Sequence, residues 1–189
     1  MDWYVILKYI HVLFVIVWLG GGFCLVVLGV RADRANNEAD FAAILKNVVY
    51  MSGHVFIPSA LIALVFGLLI FFIYGLYDFL WTYIGLLGFA ATFALGALVL
   101  GPRSDKVTKE IAASGITPDT LRQGREILQL AKFDFVVLFV VVADMVMKPG
   151  WSNWILLVIM VVVIAAGAYF FIGNLLKPMI DQVMPKAKT

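Results

Sequence analysis

Five long apolar stretches constrain the fold of this chain more than any other feature of its sequence. They cover approximately residues 3–30, 48–74, 80–101, 127–147 and 152–176. Each is about twenty residues or longer, which is the length that an α-helix needs to cross roughly 30 Å of hydrocarbon. The sequence therefore predicts an all-α fold, a polytopic transmembrane helical bundle of about five spans.

The composition agrees with a chain that lies mostly in lipid. Hydrophobic residues make up 63% of the 189 residues and charged residues 14%, and the mean hydropathy is +1.02. Soluble domains carry roughly 25% charged residues. We expect one membrane domain over residues 1–189, with a four-helix core and a cytoplasmic loop over residues 102–126. The expected surroundings are a lipid bilayer, and the net charge of +2 does not indicate a nucleic-acid partner.

The positions of the basic residues predict the orientation in the membrane. Of the 14 lysines and arginines, all but Lys8 and Lys148 fall on the same side of the predicted spans. The positive-inside rule then places the N-terminus outside and the C-terminus in the cytoplasm of a bacterial inner (plasma) membrane. Seven aromatic residues would form an interfacial belt at the outer boundary: Trp3, Tyr4, Tyr77, Trp81, Tyr83, Trp151 and Trp154.

The first span concentrates its polar and small residues on one stripe. At helical spacing this stripe consists of Tyr4, Lys8, His11, Val15, Trp18, Gly22, Leu25 and Gly29. The other side of the span is Ile, Val, Leu and Phe. A stripe of this kind in lipid is expected to face a partner helix or a cofactor, because an unpaired polar group is costly against hydrocarbon.

Two histidines, His11 and His54, are the candidate metal ligands. A neutral imidazole is a common axial ligand of heme iron, and a helix bundle can enclose a macrocycle. Trp18 shares the stripe of His11, and the glycines ending at Gly22 would let a flat group approach the backbone. We predict one heme b in the bundle, with His11 and His54 as metal ligands and with Trp18 and Gly22 as further cofactor-binding residues.

Helix geometry leaves the coordination of this heme open. Counting about 1.5 Å per residue from the predicted boundaries places His11 and His54 roughly 9 Å apart in depth. The alternatives are ligation by both histidines, a five-coordinate iron on His11, or a sixth ligand such as Met145, Met147 or a lysine. Two stacked bis-histidine hemes would need four histidines, so a transmembrane electron wire is excluded.

Three charged residues are expected near the outer boundary. Asp144 and Lys148 have the i, i+4 spacing of a helical ion pair, and Lys8 should lie at a similar depth. We expect an outer ionic cluster of the three. It would anchor helix ends or take part in a ligand or proton site.

Local signals mark the ends and the irregularities of the helices. Pro58 predicts a kink or a late helix start, because it cannot donate a hydrogen bond to the carbonyl of His54. Thr117-Pro118-Asp119 predicts a helix N-terminus, with Thr117 as N-cap. Gly88, Thr92 and Gly96 predict a small-residue seam for close helix packing. The single cysteine, Cys24, is interpreted as a packing residue.

Two motifs resemble those of bacterial integral membrane families. Lys8-Tyr9-Ile10-His11-Val12-Leu13 with Trp18-Leu19-Gly20-Gly21 resembles the first helix of a predicted membrane protein family of unknown function. The HemJ-type protoporphyrinogen oxidases and the copper-resistance protein D family have related openings. The run from Phe133-Asp134 to Met145-Val146-Met147-Lys148-Pro149 is similar to the last conserved helix of these families. The similarity covers roughly residues 5–149.

The resemblance implies a role for His11 and also shows departures. His11 would match the first-helix histidine that ligates heme b in the HemJ-type enzymes. Those enzymes open their third helix with His-x-Lys, where this chain has Trp81-Thr82-Tyr83. His54 has no assigned counterpart, and the span over residues 152–176 is additional to the four-helix core.

Three functions of different classes follow from these observations. The first is a heme b protein, and a heme-dependent oxidoreductase in particular, acting in electron transfer or oxidation with a redox partner. The second is a cofactor-free membrane subunit or scaffold of a larger complex, in which His11 and Trp18 only join helices. The third and weaker alternative is a metal-ion permease.

Overall fold

The computed structural model describes residues 2–173, and helices account for nearly all of that range. The α-helices are α1 (Trp3–Arg34), α2 (Glu38–Met51), α3 (Ile57–Ile73), α4 (Leu80–Ala94), α5 (Gly101–Ser114), α6 (Pro118–Met147) and α7 (Trp154–Gly167). Wider π-helical turns join α2 to α3 at Ser52–Phe56 and α4 to α5 at Leu95–Leu100, and another at Ala168–Ile172 follows α7. No β-strand occurs within residues 2–173. The predicted all-α transmembrane bundle is confirmed.

Four continuous helical stretches are long and apolar enough to cross a membrane. They are Trp3–Arg34, Glu38–Ile73, Leu80–Ser114 and Trp154–Ile172. The predicted span over residues 127–147 lies in α6, whose apolar part also carries Lys132, Asp134 and Asp144. Its crossing of the membrane, and with it the count of five spans, stays a prediction. The last residues of the predicted final span, 174–176, lie outside the described residues.

The first three of these stretches are longer than a bilayer requires. They contain 32, 36 and 35 residues, or about 48 to 54 Å of helix against a hydrocarbon core of roughly 30 Å. Their surplus turns meet the start of α6 at the end of the bundle that carries most of the basic residues. Buried side chains there form a cluster that we call the basic-end core: Ala32, Phe41, Leu45, Val107, Leu121, Ile127 and Leu128.

Two segments between the predicted spans, residues 31–47 and 102–126, contribute to this core. The second shows helical periodicity near residues 103–113 and a helix start at Thr117. Most of both segments is helical, as α2 and α5 and the first turns of α6. The sequence is amphipathic there: Phe41 and Leu45 are buried while Lys46 is exposed. The buried face stabilises these helices, and their charged faces gave the segments the composition of loops. Arg125 adds an ion pair of 2.7 Å to Asp33 at the end of α1.

Each of two prolines follows a π-helical turn. Pro58 and Pro102 cannot donate a hydrogen bond to the carbonyl four residues earlier. The widened turn shifts the pairing, so that the N–H of Ile57 bonds to Ser52 and the N–H of Gly101 bonds to Gly96. The helix at Pro58 therefore continues from α2 into α3 and does not start late. Inserted π turns of this kind are frequent at functional sites.

Helix α6 lies at the centre of the bundle and contacts α1, α2, α4, α5 and α7. Its close approach to α4 depends on small residues. A side chain added at Gly88 would collide with Val141, and Thr92 is almost fully buried. These two members of the predicted seam are confirmed as packing residues. Gly96, the third, faces open space in which an added Cβ meets nothing within 4 Å.

The N-terminus of α6 is the one that the sequence predicts. Thr117 is the N-cap, and its hydroxyl accepts a hydrogen bond from the N–H of Thr120. The side chain of Thr120 in turn accepts from the backbone N–H of Thr117, which completes a capping box. Both bonds satisfy N–H groups that have no partner within the helix.

Candidate functional site

The ring of His11 lies between α1 and α3. Its Nδ1 is 2.7 Å from the carbonyl oxygen of Ala63. A carbonyl can only accept, so Nδ1 carries the proton and donates it. In the neutral ring, Nε2 then holds a free electron pair. Gly67 lets the ring approach α3 this closely, because a Cβ at that position would lie 3.1 Å from the imidazole.

His54 occupies a different environment. It is exposed on the π-helical turn before α3, and its Nδ1 donates to the carbonyl oxygen of Tyr50 at 2.9 Å. Its ring stacks on the ring of Tyr50, with centroids 4.3 Å apart and planes at 17°. Both partners are local, so His54 joins no second helix through these contacts.

The structure does not bring the two predicted metal ligands together. Ala63, which holds His11, is nine residues beyond His54 on one continuous helix. At about 1.5 Å per residue this separates the two positions by about 13 Å along the axis. Both axial ligands of a heme must face one iron atom from opposite sides. In this arrangement His11 and His54 do not share an iron.

Trp18 and Gly22 extend the polar stripe of α1 toward the basic end. The Trp18 ring meets the ring of Phe89 on α4 edge to face, with centroids 5.5 Å apart. Gly22 lies against Phe135 on α6, where a Cβ would come within 2.9 Å of the ring. The stripe was predicted to face a partner helix or a cofactor, and in the structure it contacts α3 at His11, α4 at Trp18 and α6 at Gly22.

A cavity of about 120 Å³ lies beside Trp18 and Gly22, between α1, α2, α4 and α6. His11 and His54 are not among its lining residues. The lining residues are mostly apolar, but they include Asp134. The side chain of Asp134 is 7% exposed, and its Oδ1 has no hydrogen-bond partner within the described part of the chain.

The predicted outer ionic cluster of Lys8, Asp144 and Lys148 does not form. Asp144 is fully buried against α4, and neither carboxyl oxygen has a hydrogen-bond partner among residues 2–173. Lys148 ends α6 in a left-handed conformation, and its ammonium lies 5.2 Å from the centre of the Trp81 ring. Lys8 likewise lies 5.7 Å from the ring of Tyr4. The i, i+4 pair fails because the helix ends at Met147, which turns Lys148 away from Asp144.

Comparison with protein families gives one match. The model of a family described as "Predicted integral membrane protein (DUF2269)" matches residues 5–149 of the 189-residue chain. The chain belongs to this family. That confirms the resemblance to a predicted membrane protein family of unknown function, over the residues that the sequence motifs bracket. No curated protein and no solved structure matches the chain.

In this DUF2269 member, His11 and the cavity differ in how well they fit a heme. A histidine with one nitrogen fixed by a carbonyl and the other free has the donor arrangement of a metal ligand. The cavity is smaller than the roughly 300–1,000 Å³ of ordinary ligand pockets, and it does not include His11. The residues therefore fit a single histidine ligand to iron, and they do not fit a porphyrin enclosed in this cavity.

Sequence reasoning missed Asp134 as a site residue in this family member. Asp134 lies toward one end of the apolar span predicted over residues 127–147, where a carboxylate is ordinary. The usable signal was an ionisable residue within an apolar span, which is a functional candidate by default. Its position beside the cavity that Trp18 and Gly22 also line depends on packing between helices distant in sequence.

Proposed function

We propose that this integral membrane protein binds one heme b, with Nε2 of His11 as an iron ligand. The observation that supports the proposal is the hydrogen bond from Nδ1 of His11 to the carbonyl of Ala63. Histidines that bind metals commonly donate their other ring N–H to a carbonyl, which fixes the tautomer and the ring plane. The resemblance of the first helix to the HemJ-type and copper-resistance protein D openings agrees with this assignment.

The proposal concerns a single histidine and leaves His54 aside. Bound heme b would supply one-electron chemistry, and the resulting activity class would be a heme-dependent oxidoreductase or an electron carrier. The part of His11 in this chemistry is to hold the iron at a depth fixed by Ala63. Its neighbour Gly67 keeps the space that the ring needs.

A cofactor-free subunit of a larger membrane complex is the second candidate, and one observation favours it. The hydrogen bond between His11 and Ala63 already joins α1 to α3 without any metal. In that case the imidazole stabilises the helix pair and Nε2 has no ligand role. The third candidate, a metal-ion permease, has less support, since no group of three or more His, Cys, Asp or Glu lies together in the described part of the chain.

The substitution His11→Asn separates the two leading candidates. The amide nitrogen of asparagine occupies the δ position of the ring nitrogen, so it can still donate to Ala63 while the ligand at the ε position is lost. His11→Ala removes both. If His11 only joins α1 to α3, His11→Asn should have the stability and the visible spectrum of the wild type. If His11 is an iron ligand, both substitutions should remove the heme.

The measurement is the visible spectrum of full-length protein, expressed with added heme and purified in mild detergent. Oxidised and dithionite-reduced spectra are recorded for the wild type, His11→Asn, His11→Ala, His54→Ala and the exposed-site control Cys24→Ala. We expect a Soret band in the wild type, in His54→Ala and in Cys24→Ala, and none in the two His11 variants. A folded wild-type protein without a Soret band would refute heme binding.

We further propose a bacterial inner membrane location, with the N-terminus outside and the basic end in the cytoplasm. The support is the basic residues near the basic-end core, which include Arg31 and Arg34 in the last turn of α1 and Lys46 on α2. In a Cys24→Ser background, Asp78→Cys should react with a membrane-impermeant maleimide added to spheroplasts, and Ser114→Cys should not. The opposite labelling pattern would reverse the orientation.

A further inference from the structure

The cavity between α1, α2, α4 and α6 combines aromatic walls with one acidic group. Five of its lining residues are aromatic: Trp18, Phe41, Phe56, Phe93 and Phe135. Asp134 is the single ionisable residue among those that line it. A hydrocarbon-lined space alone would need no carboxyl group, so the presence of Asp134 calls for a physical explanation.

Within residues 2–173, Asp134 has no partner that accounts for its burial. Its side chain is more than nine-tenths buried, and Oδ1 is enclosed without a hydrogen bond in the part of the chain that the structure describes. The nearby hydroxyl of Thr92 already donates to the carbonyls of Gly88 and Phe89 within its own helix. Lys132 is two residues away on α6, a spacing at which side chains do not face each other. A buried carboxylate without a partner is costly, and a cationic ligand in the cavity would compensate its charge.

The size and the chemistry of the cavity restrict that ligand. A cavity of about 150 Å³ can hold a benzene molecule, so one of about 120 Å³ suits a group of a few heavy atoms. Calcium binds six to eight oxygen atoms, and magnesium requires an octahedral shell. The carboxylate of Asp134 and the hydroxyls of Ser52 and Thr92 are too few oxygen ligands for either metal ion. Aromatic rings attract organic cations through their π faces and also accept the attached alkyl groups.

We propose that this cavity binds a small organic ammonium ion, with its charged group at the carboxylate of Asp134 and its alkyl part against the aromatic walls. This site is independent of the heme proposal, since His11 does not line the cavity. Gly96 has a defined part in it. It borders the cavity, and the Cβ that it lacks would point into open space. We expect a larger residue at position 96 to reduce the volume of the cavity.

The test uses the full-length protein in detergent, with ethylammonium chloride as the probe. Binding is measured by saturation-transfer NMR and by isothermal titration, against n-propanol as the uncharged analogue of similar size and potassium chloride as the ionic-strength control. We expect saturable binding of ethylammonium, at least tenfold tighter than that of n-propanol. Equal binding of the two probes, or no binding of ethylammonium, would overturn the proposal.

Three variants test whether ethylammonium binds in this cavity. Asp134→Asn should weaken ethylammonium binding at least tenfold, and Gly96→Val should abolish it by filling the cavity. Asp144→Asn removes the other buried carboxyl group of α6, which does not line the cavity, and should bind as the wild type does. If Asp134→Asn does not fold, the proposal is tested by ethylammonium binding to Gly96→Val and by the comparison of the two probes on the wild type. Unchanged binding in a folded Asp134→Asn or Gly96→Val variant would refute the site.

Discussion

Because of the basic-end core, we expect Leu→Ala substitutions to lower the free energy of unfolding by different amounts at different positions of this chain. Leu45 is 5% exposed within that core, whereas Leu87 on α4 is 74% exposed and, in a membrane, faces lipid. Leu45→Ala removes three carbon atoms, or about 2.4 kcal/mol at 0.8 kcal/mol per buried CH₂ group. The cavity left behind raises the expected loss to about 3–5 kcal/mol. Leu87→Ala should cost less than about 0.5 kcal/mol, because lipid tails are as apolar as the side chain.

The free energy of unfolding can be measured for both variants by titrating the purified protein from mild detergent into SDS. Tryptophan fluorescence reports the transition, and neither substitution removes a tryptophan. Losses of similar size at the two positions would refute the assignment of the basic-end core as a hydrophobically packed part of the bundle. A loss below about 1 kcal/mol for Leu45→Ala would do the same.

Other predictions address the packing and the capping of α6. Gly88→Ala should destabilise the protein by about 1–3 kcal/mol through overlap with Val141, and a second substitution, Val141→Ala, should recover part of the loss in the same SDS titration. Thr117→Ala should cost about 1 kcal/mol by removing the N-cap, with faster hydrogen exchange confined to the first turn of α6. The hydrogen bond from Arg122 lowers the pKa of Asp119 below 3.8. The contact therefore stabilises α6 above pH 3.8 and is lost as the pH falls through the lowered pKa. Arg122→Gln should move the NMR titration midpoint of the Asp119 carboxyl group toward 3.8.

Local sequence signals determined the parts of the fold that could be predicted. The apolar runs define the helices within the bilayer, and Thr117 caps α6 because capping depends on neighbours three residues apart. The helical content of residues 38–47 was missed, because charged and amide residues are frequent between the first two predicted spans, whereas helical periodicity near residues 103–113 does indicate α5. Phe41 and Leu45 do have the i, i+4 spacing of a buried helix face, which is the signal that could have identified α2.

The candidate site was predictable only on the side of α1. The stripe through His11, Trp18 and Gly22 indicates a face that contacts other helices, and it does so. The partner of His11 is a backbone carbonyl, and no side chain identifies which carbonyl that is. The burial of Asp134 depends on how α6 packs against α1, α2 and α4, which are distant in sequence. Helical spacing within one span carries no information about that packing.

The most direct test of the central proposal is whether Nε2 of His11 is bonded to iron. Resonance Raman spectra of the reduced, heme-loaded protein would be compared with and without ¹⁵N-labelled histidine. We predict an iron–histidine stretching band that shifts with the label and is absent from His11→Asn. A band that persists in His11→Asn, or a protein that takes up no heme, would contradict the assignment of His11 as the iron ligand.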